Sequence, residues 1–291
     1  MRTVRQVVTT GGTLLTALLV LLSYSAAQDS SPTLRTLHNF TGGSDGGGPW
    51  AGVVIGTGGV LYGTTRVGGT FNNGTVFSLA PPASSGGAWT ETVLHNFAGA
   101  PDGANPFESR VAIGPGGVLY GTTYYGGTSN NGMVFSLTQP ASPGGAWTET
   151  VLRSFAGSPT DGGNPQEGVV IAGDGVLFGT TAGGGISDCA FGGCGIVFSL
   201  KPPPSPGDAW TETVLHGFTK SEGSNPEGGV VIGTGVLYGT TYIGGTAGNG
   251  TVFSLTPPGG GPSVPGVRGP RPCCTISRPS PVMEPPLRQV C

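Results

Sequence analysis

Cys189 and Cys194 lie close together in the chain, with Asp188 beside them. Two thiols and one carboxylate fall short of the four ligands of a closed zinc site. Their spacing also departs from the Cys-x-x-Cys of redox pairs. In an exported protein, the chemistry this pair predicts is a local disulfide that staples one loop. A second set is the word Asp-Gly-x-Asn-Pro at 102–106 and 161–165. It makes Asp102, Asn105, Asp161 and Asn164 candidate cation-loop donors. The word degrades to Asp45 through Pro49 and to Glu222 through Pro226. Ca²⁺ takes about six to eight oxygens, and one or two per loop do not supply them. Asp, Gly, Asn and Pro each favour turns for their own reasons, so a tight turn is the expected role.

His38, His95 and His216 share one position of a repeating pattern, with Arg153 in the remaining copy. Glu91, Glu149 and Glu212 share another, inside Trp-Thr-Glu-Thr. A position that recurs by period is set by packing. The histidines are therefore expected to sit far apart, and the glutamates to face solvent and guard an edge strand. No Gly-x-Ser-x-Gly and no phosphate loop occurs. The Gly-Gly pairs lack the following helix that a phosphate site needs. No catalytic residue, metal site or cofactor is expected.

The elements that position these residues are repeats. Leu-Tyr/Phe-Gly-Thr-Thr begins at 61, 119, 177 and 237, spacings of 58, 58 and 60 residues. A glycine pair and Val-Phe-Ser-Leu follow each copy. In the second copy, residues 89–97 alternate as a half-exposed strand does. Short strands are expected at 110–114, 118–123 and 133–137, separated by Gly/Pro/Asn turns. No helical periodicity occurs. Four short antiparallel strands per repeat is the content of a propeller blade. Such a sheet has two apolar faces and must stack on its neighbours. The repeated aromatics are expected to fill the gaps between sheets.

The order of Tyr-bearing strand, paired glycines and a later Trp resembles the kelch blade. More closely, Leu-Tyr-Gly-Thr-Thr, Trp-Thr-Glu-Thr-Val-Leu-His and Asp-Gly-x-Asn-Pro resemble the bacterial tandem-repeat family called GloVer. The likeness covers nearly all of 33–258. It implies an exported or surface repeat protein of the kind that carries varied C-terminal anchors, and it carries over no catalytic residue.

The expected architecture is an all-β propeller of about four kelch-like blades, with repeats near 33–88, 89–146, 147–209 and 210–258. The fourth set lacks its outer strand. Residues 33–40 look like an outer strand without a sheet, and they are expected either to close the ring beside 251–255 or to leave it incomplete.

The two ends of the chain read differently. Arg2 and Arg5, an apolar stretch from about 14 to 22 and small residues at 25–27 predict a signal peptide over 1–27, too short to span a bilayer. After 258 the repeat stops in a Pro/Arg-rich tail holding Cys273, Cys274 and Cys291. Codons compatible with 268–278, read from the third base, give Trp-Thr-Glu-Thr-Val-Leu-His-Asn-Phe-Thr. A frameshift near 258–264 is thus expected to hide a fifth repeat, and the tail is expected to be disordered.

Charged residues make up 9% of the chain and the net charge is −3, which leaves no basic patch for nucleic acid. The expected function is noncatalytic. It is a secreted or surface scaffold that binds a protein or glycan through loops on one ring face. A carbohydrate-active propeller enzyme and a self-associating surface protein are the alternatives.

Overall fold

The computed structural model describes residues 32–257, except 143, 187, 190, 191 and 206. The expected signal peptide and the expected disordered tail lie outside the described residues. The chain folds into small antiparallel sheets. Two single 3-10 turns, at Thr57–Gly59 and Pro115–Gly117, are the only helical turns among the described residues. None of the described helices is long and apolar enough to cross a membrane.

Sheet 1 runs from an inner strand, Val54–Ile55, through Leu61–Thr65 and Thr75–Ala80 to an outer strand, Thr90–Asn96. Sheet 2 repeats this with Ala112–Ile113, Leu119–Thr123, Met133–Thr138 and Thr148–Ser154. Sheet 3 is built from Val170–Ile171, Leu177–Thr181, Ile196–Lys201 and Thr211–Gly217. Sheet 4 has three strands, Val231–Ile232, Leu237–Thr241 and Thr251–Leu255. In each of these four sheets, strands adjacent in sequence are adjacent in space, and two further two-stranded sheets pair Gly103–Ala104 with Tyr125–Gly126 and Gly162–Gly163 with Gly183–Gly184. Short Gly-rich connections allow only this up-and-down order.

The recurring Leu-Tyr/Phe-Gly-Thr-Thr is a set of instructions for packing. Its Gly lies opposite the Phe of Val-Phe-Ser-Leu: Gly63 with Phe77, Gly121 with Phe135, Gly179 with Phe198, Gly239 with Phe253. The ring folds back over the glycine, so a Cβ at Gly179 would stand 2.6 Å from the tip of Phe198. Its first Thr ties the sheet to the next one. Thr64, Thr122 and Thr180 donate their hydroxyls to the carbonyls of Ser109 (2.9 Å), Glu167 (2.9 Å) and Gly228 (3.1 Å). We expect Gly179→Ala to force the Phe198 ring aside and cost about 1–3 kcal/mol. Thermal unfolding followed by far-UV circular dichroism checks this, and an unchanged midpoint would show that the ring does not need the gap.

The core divides into three layers, one per junction between successive sheets. Val76 and Phe97 of sheet 1 meet Val111, Leu119, Phe135 and Leu137 of sheet 2. Val134 and Phe155 meet Val169, Leu177, Phe198 and Leu200 at the next junction. Val197 and Phe218 meet Val230 and Leu237 at the third. At each junction the Phe that follows the outer strand stands edge-on to the third-strand Phe of the following sheet. Phe97–Phe135, Phe155–Phe198 and Phe218–Phe253 are separated by 5.2, 5.2 and 5.1 Å. The tyrosine of one sheet likewise reaches the Trp that precedes the outer strand of the next, as in Tyr62–Trp147 and Tyr120–Trp210. The aromatic words thus fill gaps between sheets. All four inner strands line one cavity of about 480 Å³, where Val54, Val111, Val169 and Val230 converge.

The expected ring closure is not made. Residues 33–40 contain no strand, and among the described residues Thr251–Leu255 pairs only with Leu237–Thr241. Phe40 instead stands edge-on to Phe77 at 4.9 Å, the arrangement that Phe97 makes with Phe135. His38 pairs with Asp45 beside it. Local contacts of His38 and Phe40 anchor residues 37–40 beside sheet 1, and they do not require the far sheet.

Candidate binding face

Most repeated polar residues belong to the scaffold. The Asp102 carboxylate accepts the backbone N–H groups of Gly103 at 2.6 Å and Ala98 at 2.9 Å, with His95 Nε2 at 3.3 Å. Burial opposes ionisation of Asp102. The His95, Ala98 and Gly103 hydrogen bonds outweigh it and hold the acid below its usual range. Asp161 is buried and accepts from Ala156 (2.7 Å), Gly162 (2.8 Å) and the Arg153 guanidinium (2.6 Å). His38–Asp45 and His216–Glu222 complete the series at 3.5 and 3.6 Å. The residue at this repeat position therefore clasps the loop that follows it.

The carboxylate oxygens of Asp102 and Asp161 are committed to their own turns. Asn105 and Asn164 sit in left-handed backbone, φ 52° and 57°, where Asn is among the best-tolerated side chains. The Asn164 amide donates to the Tyr124 carbonyl at 3.0 Å, facing its own scaffold. Among the described residues, the one grouping of ligand atoms that could surround a metal is Asp188, Cys189 and Cys194. There the two sulfurs are bonded to each other.

The glutamates depart from expectation. Glu91, Glu149 and Glu212 do not face solvent. Each is half-buried, and each has a buried Oε1 with no hydrogen-bond partner. The cause is the stacking of sheets, which lays each outer-strand Glu over the His/Arg–Asp clasp of the preceding repeat. Burial, then the Asp102 charge, lifts Glu149 to about 7 although His95 opposes the shift. Burial, then the Asp161 charge, lifts Glu212 to about 7 despite Arg153, whose Nε lies 2.6 Å away.

The repeats disagree with one another in two places that meet on one face. After Thr-Thr stand Arg66, Tyr124, Ala182 and Tyr242; after the loop Pro stand Trp50, Phe107, Gln166 and Glu227. Repeat 2 has one residue more between that Pro and its inner-strand Val, at 106–111 against 49–53, 165–169 and 226–230. Trp50 and Phe107 stand edge-on at 4.8 Å, and Phe107 continues to Tyr124 (5.7 Å) and Tyr125 (4.6 Å from Tyr124). The Arg66 guanidinium lies 4.4 Å from the centre of the Trp50 ring and 4.7 Å from that of Phe107. Such cation–π contacts fix the guanidinium without neutralising it. Among the described residues no carboxylate pairs with Arg66. Trp50 is 54% exposed. Arg66, Asn105, Phe107, Tyr124, Tyr125 and Gln166 enclose a recess of about 220 Å³.

None of these aromatics stands out when the sequence is read for recurring words. The signal that finds them is the opposite one, the columns where aligned repeats differ. A family model described as the Gloeobacter/Verrucomicrobia repeat matches residues 20–190 and again 89–265, an overlap expected of tandem units. No curated protein matches the chain.

Proposed function

The chain belongs to the Gloeobacter/Verrucomicrobia repeat family, and on that premise we propose that it is an exported, noncatalytic scaffold that binds a glycan through the Trp50–Arg66–Phe107–Tyr124–Tyr125 face. The sheets are the blades of a propeller-type array over 28–258. The in-order strands, the three face-to-face junctions and the shared cavity of the inner strands support that reading.

The observation that carries the binding role is an exposed Trp and an unneutralised Arg at the edge of a ring-lined recess. Trp, Tyr and Arg are the residues that dominate binding surfaces. Apolar ring faces suit the C–H faces of sugars, and the amides of Asn105 and Gln166 supply hydrogen bonds to hydroxyls. The patch is small. A stable protein partner covers about 20–30 residues a side, so a chain of sugars fits the scale better than a folded protein.

The test is titration with hexasaccharides of β-linked glucose, β-linked N-acetylglucosamine and galacturonate, followed by tryptophan fluorescence. At least one should shift the emission, and Trp50→Ala or Arg66→Ala should weaken binding by tenfold or more. Unchanged affinity in both variants would overturn the site. Growth of reducing ends during incubation would overturn the noncatalytic role.

A further inference from the structure

The last sheet is built like its predecessors, yet no described residue covers one of its faces and one of its edges. Val76, Val134 and Val197, at one repeat position, are each 0% exposed because the next sheet covers them. Their counterpart Val252 is 82% exposed, and Val231 and Tyr238 on the same face are 63% and 45% exposed. At the other end, Val53 and Ile55 of sheet 1 are exposed at the positions of Val111 and Ile113, which face the preceding sheet in the interior. The edge of Thr251–Leu255 carries no partner strand among the described residues.

The missing pieces are present in the chain, in the wrong place to be used by it. The segment Leu37-His38-Asn39-Phe40 repeats Leu94-His95-Asn96-Phe97, the end of an outer strand. Phe40 already seats against Phe77, and His38 already clasps Asp45. Sheet 1 thus holds the outer-strand end of a sheet that should precede it. Sheet 4 is a sheet that lacks an outer strand. The two coexist unjoined in one chain.

We propose that the partner of this open end is a second copy of the chain, joined head to tail. The 33–40 segment of one copy adds to the Thr251–Leu255 edge of the other, and the faces of Val252 and Ile55 close together as the three interior junctions do. A contact between two different surfaces of the same molecule leaves one surface of each kind free. It generates rings or open filaments. Strand addition supplies main-chain hydrogen bonds along an otherwise bare edge. The register follows from the interior sheets. Aligning His38 on His95 puts Arg35 at the place of Thr92, which faces Ser78, and Ser254 is the counterpart of Ser78.

The test uses the full chain with Cys273, Cys274 and Cys291 changed to Ser. Arg35→Cys and Ser254→Cys are prepared as separate variants and as one double variant. On oxidation, a mixture of the two single variants should give disulfide-linked dimers that neither gives alone. The double variant should give a ladder of oligomers. Sedimentation of the parent chain should show mass rising with concentration. Val252→Asp, which alters a residue already exposed, should keep the circular dichroism spectrum and require at least tenfold more protein to associate. A double variant that links only within monomers would overturn the proposal in favour of a closed ring. Unlinked mixtures, or a parent chain that stays monomeric at every concentration, would overturn it in favour of an edge covered by the chain's own 258–291 segment or by nothing.

Discussion

Phe135→Ala is expected to destabilise the fold by about 3–5 kcal/mol, the usual cost of deleting a fully buried aromatic ring. Phe135 is wholly buried. It covers Gly121 on its own sheet and stands edge-on to Phe97 of the preceding one. Its loss opens both the cross-strand contact and the junction between sheets 1 and 2. Against a typical stability of about 5–15 kcal/mol, this is a large fraction. Phe253→Ala removes the same ring from the last sheet, where Phe253 still packs on Phe218 of the preceding sheet but is only half-buried, with no outer strand beside it among the described residues. It should cost less than half as much. Urea denaturation of the two variants beside the parent chain separates the cases. Equal losses would mean that the cover of the outer strand does not set the value of the ring.

Stability is expected to fall as pH rises from about 4.5 to about 7. Glu149 and Glu212 hold their protons up to about pH 7 in the folded chain, whereas in the unfolded chain they release them near the ordinary 4.5. Between those values the folded state binds more protons, so raising the pH favours unfolding. Each raised acid contributes roughly 1–2 kcal/mol once its partial solvent contact is allowed for. Asp45 and Asp102 act in the opposite sense at the acid end. Hydrogen bonding from Thr41 is the leading cause that lowers Asp45, while Asp102 is lowered against its burial, and the stability they lend is lost as pH falls below about 4. The doubly substituted Glu149→Gln, Glu212→Gln chain should match the parent below pH 5. At pH 8 it should be more stable by roughly 2–4 kcal/mol. Urea midpoints at intervals from pH 4.5 to 8.5 check both the slope and its removal. A parent chain that gains stability across this window would contradict the buried-glutamate geometry.

The sheets were legible in the sequence because the repeat states the first three strands four times and the outer strand three times. Gly-Gly and Asn-Gly breaks bound strands such as Leu119–Thr123 and Met133–Thr138. The side on which Glu149 lies was not legible. Alternation within 147–155 places it on one face of a strand, but the burial of that face depends on the neighbouring sheet. The seat of Phe40 was illegible for a similar reason. A strand-like word names the kind of partner it wants, and only its local ties, Phe77 and Asp45, fix its place. The Trp50–Tyr125 face escaped because its residues follow no period. It emerges only when two turns from successive repeats are brought together in space.

Hydrogen–deuterium exchange of the chain, with and without the hexasaccharide that binds it most tightly, tests the glycan-binding face most directly. Protection is predicted over 47–50, 66–67, 103–107 and 124–127, with the outer strands Thr90–Asn96 and Thr148–Ser154 unchanged. Protection confined to the outer strands or to the inner-strand cavity, or no binding by any of the three sugars, would contradict it.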